Sequence, residues 1–450
     1  MRPGYMDRPG RIASAQVTDT TQRSSMLKNS KSYLIAILLL TLVFNKVEHA
    51  ALGVMMQDIK TDLKLSDTQL GLLTGIAFTL FYATLGVPIG RAADRGNRVG
   101  IISFTTALQC GALALSGLAS NFAQLLVIRI GVAVGEAGCV APANALIADR
   151  FDRKSRPRAT SMFMLGYPLS AIAGYFLGGW LNDLVGWRTT FVLLGAPGLL
   201  LAAILFLTVR DRITAAAPAG PMAKPAAPQH PRASTARLLW SNRTYRHLVI
   251  GYSLLTFFGI GVIQWLPTFF IRSYGFSTAE LGIWFALIWG VGGVVGSLAA
   301  GEWASRRAAH NEALQIKAIT SVFLLSGIFG AAIYLVTSPY VAFGFVLLIA
   351  MANYGTAGPL FATIQSVVPA GSRSVAVATT YLFTNLIGVG LGPLAVGFLS
   401  DMLTPGYGDE ALRYALLALC PGYLWASWHL WRASRTVASD VALENEGLPA

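Results

Sequence analysis

Twelve apolar runs recur along the chain, with approximate limits 33–56, 66–91, 98–119, 122–148, 158–182, 188–209, 246–271, 277–303, 314–336, 339–367, 373–400 and 410–431. A helix that crosses a bilayer needs about 20 such residues. The pattern therefore predicts an all-α polytopic membrane protein with twelve transmembrane helices. The roughly ten-residue alternating segments of a β-barrel are absent. Between the sixth and seventh runs, 211–245 is rich in Ala and Pro (Pro218, Pro221, Pro225, Pro228, Pro231). Such a segment packs no core and reads as a flexible linker. The predicted organisation is a tail (1–32), a six-helix bundle (33–210), the linker (211–245), a second six-helix bundle (246–432) and a tail (433–450).

The two bundles repeat each other. Ser66-Asp67-Thr68-Gln69 opens the second run and Ser277-Thr278-Ala279-Glu280 opens the eighth, 211 residues later. Both have the capping-box form that satisfies free N–H groups at a helix start. The same offset carries Gly90-x-x-x-Asp94-Arg95 onto Gly301-x-x-x-Ser305-Arg306. Two parallel six-helix repeats describe the architecture of a rocking secondary transporter.

Composition agrees with a membrane class. The chain is 54% hydrophobic and 12% charged, against about 25% charged for a soluble domain. Its net charge of +13 reflects topology, because the basic residues sit in short loops rather than on a nucleic-acid face. Of the 34 Lys and Arg, Lys46 and Arg129 lie inside runs, and Lys60, Lys64, Arg188, Arg272 and Arg413 fall on one side. The remaining 27 fall on the other. The asymmetry predicts cytoplasmic termini and linker, in a plasma (inner) membrane. Residues 1–30 lack the apolar core of a signal peptide. Cys110, Cys139 and Cys420 have no ligand spacing, and neither a metal nor a cofactor is expected.

The fourth run carries Arg129 and Glu136, two helical turns apart on one face. A charge at mid-membrane costs at least about 2.5–3.5 kcal/mol and normally faces a polar interior. The first run offers Asn45, Glu48 and His49 on one face, with Lys46 off the Glu48–His49 face. From a rise of about 1.5 Å per residue, Glu48 and Arg129 reach nearly the same depth, with Glu136 about 10 Å deeper. Glu48–Arg129 is thus a candidate ion pair, and Glu48, Glu136, Arg129 and His49 form the candidate coupling set. A purely structural buried pair is the competing reading. Gly166-Tyr167-Pro168, then Gly174, Gly178 and Gly179, suit a kinked inter-half hinge. The second half offers Gln264, Trp265, Asn353, Tyr354, Thr379, Thr380, Tyr381 and Asn385 with Phe257, Phe258, Trp284 and Trp289. Its aromatics equally fit lipid or core packing.

Gly90-Arg91-Ala92-Ala93-Asp94-Arg95-Gly96-Asn97-Arg98 resembles the signature loop of the major facilitator superfamily, with Asn97 at its second Gly position. The resemblance implies the major facilitator fold and a latch role for Asp94, Arg95 and Arg98. Asp149, Arg150 and Arg158 in the next basic loop are candidate partners at that gate, although topogenesis alone explains such a loop equally well. Arg129-x-Gly131-x-x-x-Gly135-Glu136-Ala137, Ala141-Pro142, Ile147-Ala148-Asp149-Arg150-Phe151 and Gly186-Trp187-Arg188 are similar to the Spinster branch. That branch has an Asp-Arg pair where this chain has Glu48-His49, so a fixed charge is replaced by a group that titrates near neutral pH.

No phosphate loop is present, and no nucleophile–base pattern points to an enzyme. His247 and His310 sit near basic loops and read as solvated. The reading is a monomeric, proton-coupled, alternating-access transporter in the bilayer. The Spinster resemblance implies a lysophospholipid or sphingolipid type of amphipathic substrate. Asn45, Arg129, Gln264, Trp265, Asn353, Tyr354, Thr380 and Asn385 are the candidate substrate contacts. A proton-coupled carrier of small organic anions and a non-transporting ligand sensor remain as alternatives.

Overall fold

The structure is a computed structural model that describes residues 31–209, 232–308 and 311–445. Among these, ten helical stretches are long and apolar enough to cross a membrane. They are Lys31–Leu63, Asp67–Ala93, Arg98–Ser116, Phe122–Arg150, Arg156–Thr208, Arg243–Tyr274, Thr278–Arg307, Glu312–Leu335, Pro339–Ser366 and Arg373–Leu443. The fifth and tenth stretches run for 53 and 71 residues, at least about twice the length of one crossing. Each turns back at a glycine with positive φ, Gly186 (φ 75°) and Gly408 (φ 54°). This backbone region is open to glycine because no Cβ obstructs it. Tyr33 pairs with Thr208 and Lys31 with Asp152, so the segments flanking the fifth stretch lie together. Tyr245 bonds Ala376 O, and Thr244 bonds Thr436, which brings both ends of the tenth together as well. The ten stretches thus accommodate the twelve predicted spans, numbered first to twelfth below. The fifth and sixth divide at Gly186, the eleventh and twelfth at Gly408.

Boundaries differ from the sequence expectation in two places. The Ala/Pro-rich part of the 211–245 linker lies outside the described residues, but Arg232–Ser241 is helical. Its Leu239 is buried in the second half's core. At the other end the twelfth span does not stop near 432. Its helix runs Gly422–Asn445, with Ala433 and Val437 fully buried. Asp440 accepts the backbone N–H of Thr244 at the start of the seventh span, and a carboxylate there complements the helix dipole.

Four spans that face the opposite half are interrupted. The second breaks at Gly75, and the fifth at Leu165. The eighth and eleventh carry π-helical turns over Ala286–Val291 and Thr384–Leu391. Such irregularities often mark functional bends. Pro168 does not itself make the kink. It lies in the first turn after the break at Leu165, where a missing N–H costs no helical bond. Gly174 and Gly178 pack on Ala50 and Ala51 of their own half, and only Gly179 meets Gly282 of the eighth span. The hinge stripe read from sequence is therefore mostly packing within one half.

The halves are joined at one end, and two pseudo-symmetric contacts make the seal. Asp401 of the eleventh span accepts from Asp67 N (2.9 Å) and Thr68 N (2.8 Å) at the start of the second. Asp183 of the fifth accepts from Thr278 Oγ1 (3.0 Å) at the start of the eighth. Both starts carry the full capping box, Ser66 with Gln69 and Ser277 with Glu280. One hydrophobic core spans both halves here, from Val54 and Met55 to Phe269, Phe270 and Phe285. At the opposite end the core divides into separate clusters, one around Leu38, Ile102 and Leu146 and one around Tyr245, Ile364 and Leu430. The molecule is thus sealed at the end of the 63–67 turn and parted at the end of Lys31. A Cβ at Gly71 would lie 2.5 Å from Pro393 O and 2.8 Å from Leu394 Cα. Gly71→Ala is therefore expected to disfavour the sealed arrangement. The check is faster alkylation of a cysteine placed at the seal, and an unchanged rate counts against this role.

Candidate functional site

The first span brings Asn45, Lys46, Glu48 and His49 against the fourth. The fourth approaches the third closely at Gly135, where an added Cβ would lie 2.5 Å from Gln109 N. The fourth span also breaks at Gly138, two residues beyond Glu136. These approaches bury a line of ionisable groups. Arg129 Nη1 pairs with Glu48 Oε2, and Arg129 Nε donates to Leu73 O at 3.3 Å. The other Glu48 oxygen lies 3.4 Å from His49 Nδ1. His49 Nε2 is 2.8 Å from Glu136 Oε2, and Lys46 Nζ pairs with Glu136 Oε1. The order is Arg129, Glu48, His49, Glu136, Lys46: two fixed cations outside, two carboxylates inside, and one imidazole between them.

Glu48, Arg129 and Glu136 are 0–3% exposed, whereas the His49 side chain is 36% exposed. The imidazole is thus the accessible member of the line. With neutral His49 the formal charges of the five groups cancel, and protonation adds one positive charge. Aromatic rings complete the wall. Arg129 lies 5.4 Å from the Phe78 ring centre, and Lys46 is 5.6 Å from both Tyr82 and Tyr167. Asn45 and Gln109 pair reciprocally, with Asn45 Nδ2 donating to Gln109 Oε1 and Gln109 Nε2 donating to Asn45 O, each at 2.6 Å. Arg129 Nη2 and Asn45 Oδ1 are buried without a hydrogen-bond partner.

Lys46, which the sequence reading set off the Glu48–His49 face, meets Glu136 beside His49, and Gln109, which it missed, joins the site as well. Lys46 precedes His49 by three residues, a spacing that shares a helix face, so its signal was legible. Gln109 carries no charge and no motif. Donor atoms of Glu48, His49 and Glu136 lie within 4.8 Å of one another. That geometry would admit a divalent ion, with one oxygen of each carboxylate already paired, to Arg129 and to Lys46.

The proposed second wall is only partly assembled. Trp265 is fully buried and donates Nε1 to Pro393 O at 3.0 Å. Thr380 is fully buried with its hydroxyl on Ala376 O. Both belong to helix packing, not to a lining. Such in-helix hydroxyl bonding hides Thr380 from any ligand. Asn385 donates to Tyr381 O at 2.8 Å. Gln264 Nε2 lies 3.8 Å from Met56 Sδ, at the junction of the halves. Tyr354 is 37% exposed, and Asn353 is half-buried. Trp284 stacks on Phe343 at 4.8 Å, so it too packs as core.

At the parted end Arg98 pairs with Asp149, joining the two basic loops within the first half. Arg95 and Arg158 are exposed, and Arg150 is half-buried. The side chain of Asp94 lies outside the described residues, as does His310. His247 is not simply solvated, because its Nδ1 lies 2.9 Å from Nδ1 of His429. The sealed end holds an inter-half cluster the sequence did not reveal. Buried Asp67 accepts from Arg272 Nη1 and Nη2 (2.8 and 2.7 Å), Lys60 (2.6 Å) and Ser400 (2.6 Å).

Two pseudo-symmetric bundles, joined at one end and parted at the other around a buried charge chain, define a membrane transporter of the alternating-access type. The Major Facilitator Superfamily model matches residues 38–428, and the chain belongs to that family. It is 30% identical to an MFS-type efflux pump of Mycolicibacterium smegmatis, over 91% of this chain and 94% of that one. It is 26% identical to a probable L-galactonate transporter of Escherichia coli, over 84% and 85%. Among solved structures it resembles a bacterial homolog of the human lysosomal transporter Spinster in an inward-facing, unoccupied conformation. That match has a TM-score of 0.77 and 28% identity, over 91% of this chain and 98% of the other.

Proposed function

We propose that this chain is a proton-coupled secondary transporter of an amphipathic, lipid-like molecule with an anionic or zwitterionic head. The observation that carries the reading is the buried chain from Arg129 to Lys46, in which one titratable and partly exposed imidazole sits between two buried carboxylates. A proton arriving at His49 changes the charge balance of both ion pairs. Glu48 and Glu136 are the further proton sites, and protonating Glu48 frees Arg129 for an anionic group. Arg129 Nη2, buried without a partner, is the donor for that group. Both termini lie on the cytoplasmic side, so the parted end opens to the cytoplasm, and the transporter acts as a monomer. The amphiphile as cargo is what the sequence resemblance to the Spinster branch implies.

The test is proton-driven exchange in vesicles. Glu48→Gln, Glu136→Gln and His49→Gln are each expected to flatten the response between about pH 5 and 8, where an imidazole titrates. A pH profile unchanged in all three would remove the proton role. A second reading, a carrier of small organic anions, is favoured by the likeness to a probable L-galactonate transporter. Thermal stabilisation by a sugar acid but not by lysolipids would select it. Binding of either ligand without flux would select a sensor instead.

A further inference from the structure

The sealed end contains an open cavity of about 370 Å³ that the central charge chain does not use. Its walls include Gln57, Lys60, Thr61, Lys64, Arg272 and Asp409. Three cations thus face one carboxylate. A second carboxylate, Asp67, lies behind them, fully buried and bonded to Lys60 and Arg272. The excess positive charge is not at rest on Asp67: Lys64 is exposed and takes no part in the Asp67 bonds. Lys64 is also the one non-glycine residue with positive φ (51°) among the described residues. A left-handed backbone at a long side chain is uncommon and points to a local demand. Here the demand is the tight turn between the first and second spans, which sets Lys64 on the cavity wall.

We propose that this cavity binds an oxyanion, a phosphate or carboxylate group, and that the bound group competes with Asp67 for Lys60 and Arg272. Lys and Arg donors around such a group form charge-assisted hydrogen bonds, and the Gln57 side-chain amide, whose oxygen accepts from Arg272 Nε, adds a neutral donor. Asp67 links the halves through Arg272 and Ser400, and the bound group takes over that link by bridging Lys60 and Lys64 to Arg272. A ligand shifts a conformational equilibrium only by its differential affinity, and the oxyanion favours the sealed state because only there do the walls from the two halves meet. The cavity shares no residue with the line from Arg129 to Lys46, so the inference stands independently of the proton reading.

The experiment uses the full chain in detergent, titrated calorimetrically with inorganic phosphate against chloride at matched ionic strength. Spin labels at Ser120 and Thr337, exposed loop positions in opposite halves at the sealed end, report separation. Saturable phosphate binding and a shorter mean label distance are expected. Lys64→Asn, which suits a left-handed backbone, is expected to weaken binding about tenfold or more. Asp409→Asn, at an exposed position, is expected to tighten it, a gain that misfolding does not mimic. A parallel arm compares nanodiscs of phosphatidylcholine with and without phosphatidylglycerol. Shortening with the anionic lipid but not with free phosphate assigns the oxyanion to a lipid headgroup. Absence of both responses, or equal phosphate affinity in wild type and both variants, overturns the proposal.

Discussion

Arg129→Met is expected to cost the folded transporter about 3–5 kcal/mol, the usual penalty for leaving one member of a buried ion pair alone. Glu48 is 0% exposed and its partner 3%, so no solvent reaches the abandoned carboxylate. The double variant Glu48→Gln/Arg129→Met is expected to recover most of that loss, because a buried pair replaced as a unit is often close to neutral. Thermal unfolding of the purified single and double variants checks this. Transport should be absent from both, since neither retains the cation that answers Glu48. A double variant as unstable as the single one, yet active, would show that the pair is scaffolding and not coupling. The distinction matters because a buried salt bridge is by itself weak evidence for stability.

Asp67→Asn should unseal the molecule. The carboxylate is fully buried and bonded to Arg272 twice, to Lys60 and to Ser400. Asn retains the shape but leaves Arg272 of the opposite half without its counter-charge, a loss felt in the sealed state only. If that state loses about 3 kcal/mol, the balance between sealed and unsealed forms shifts by about a hundredfold, at 1.4 kcal/mol per decade. The readout is alkylation of Met56→Cys, a fully buried position beside Gln264 of the opposite half. The three native cysteines are buried and contribute a low background. An alkylation rate unaltered by Asp67→Asn would remove Asp67 from the gate. Arg272→Gln tests the same bond from the other half and should give the same direction.

The two expectations concern opposite aspects of one design. The central chain lies within the first half and, in the proposed function, answers to protons. The Asp67 cluster lies between the halves and answers to their separation. Alternating access requires a link between such elements. In this molecule the first span carries both: Glu48 and His49 lie on the same helix as Gln57 and Lys60. A tilt or rotation of that helix moves the charge chain and the seal together.

The chain by itself determined the class, the number of crossings, the repeat and one line of charges. Those follow from local facts: an apolar run must be a membrane helix, a capping box starts one, and acid and base spaced by whole turns share a face. Even Lys46 was within reach of that rule. The tertiary structure alone decided which polar groups meet across span boundaries. Gln109 and Asp401 become functional candidates only because the third and eleventh spans place them against Asn45 and the start of the second. Conversely Trp265 and Thr380, plausible on a helix face, are consumed by packing against Pro393 and by a bond within the helix. Periodicity fixes which side of a helix a residue occupies. Which neighbour that side meets depends on how twelve helices settle against one another, and no single helix encodes that.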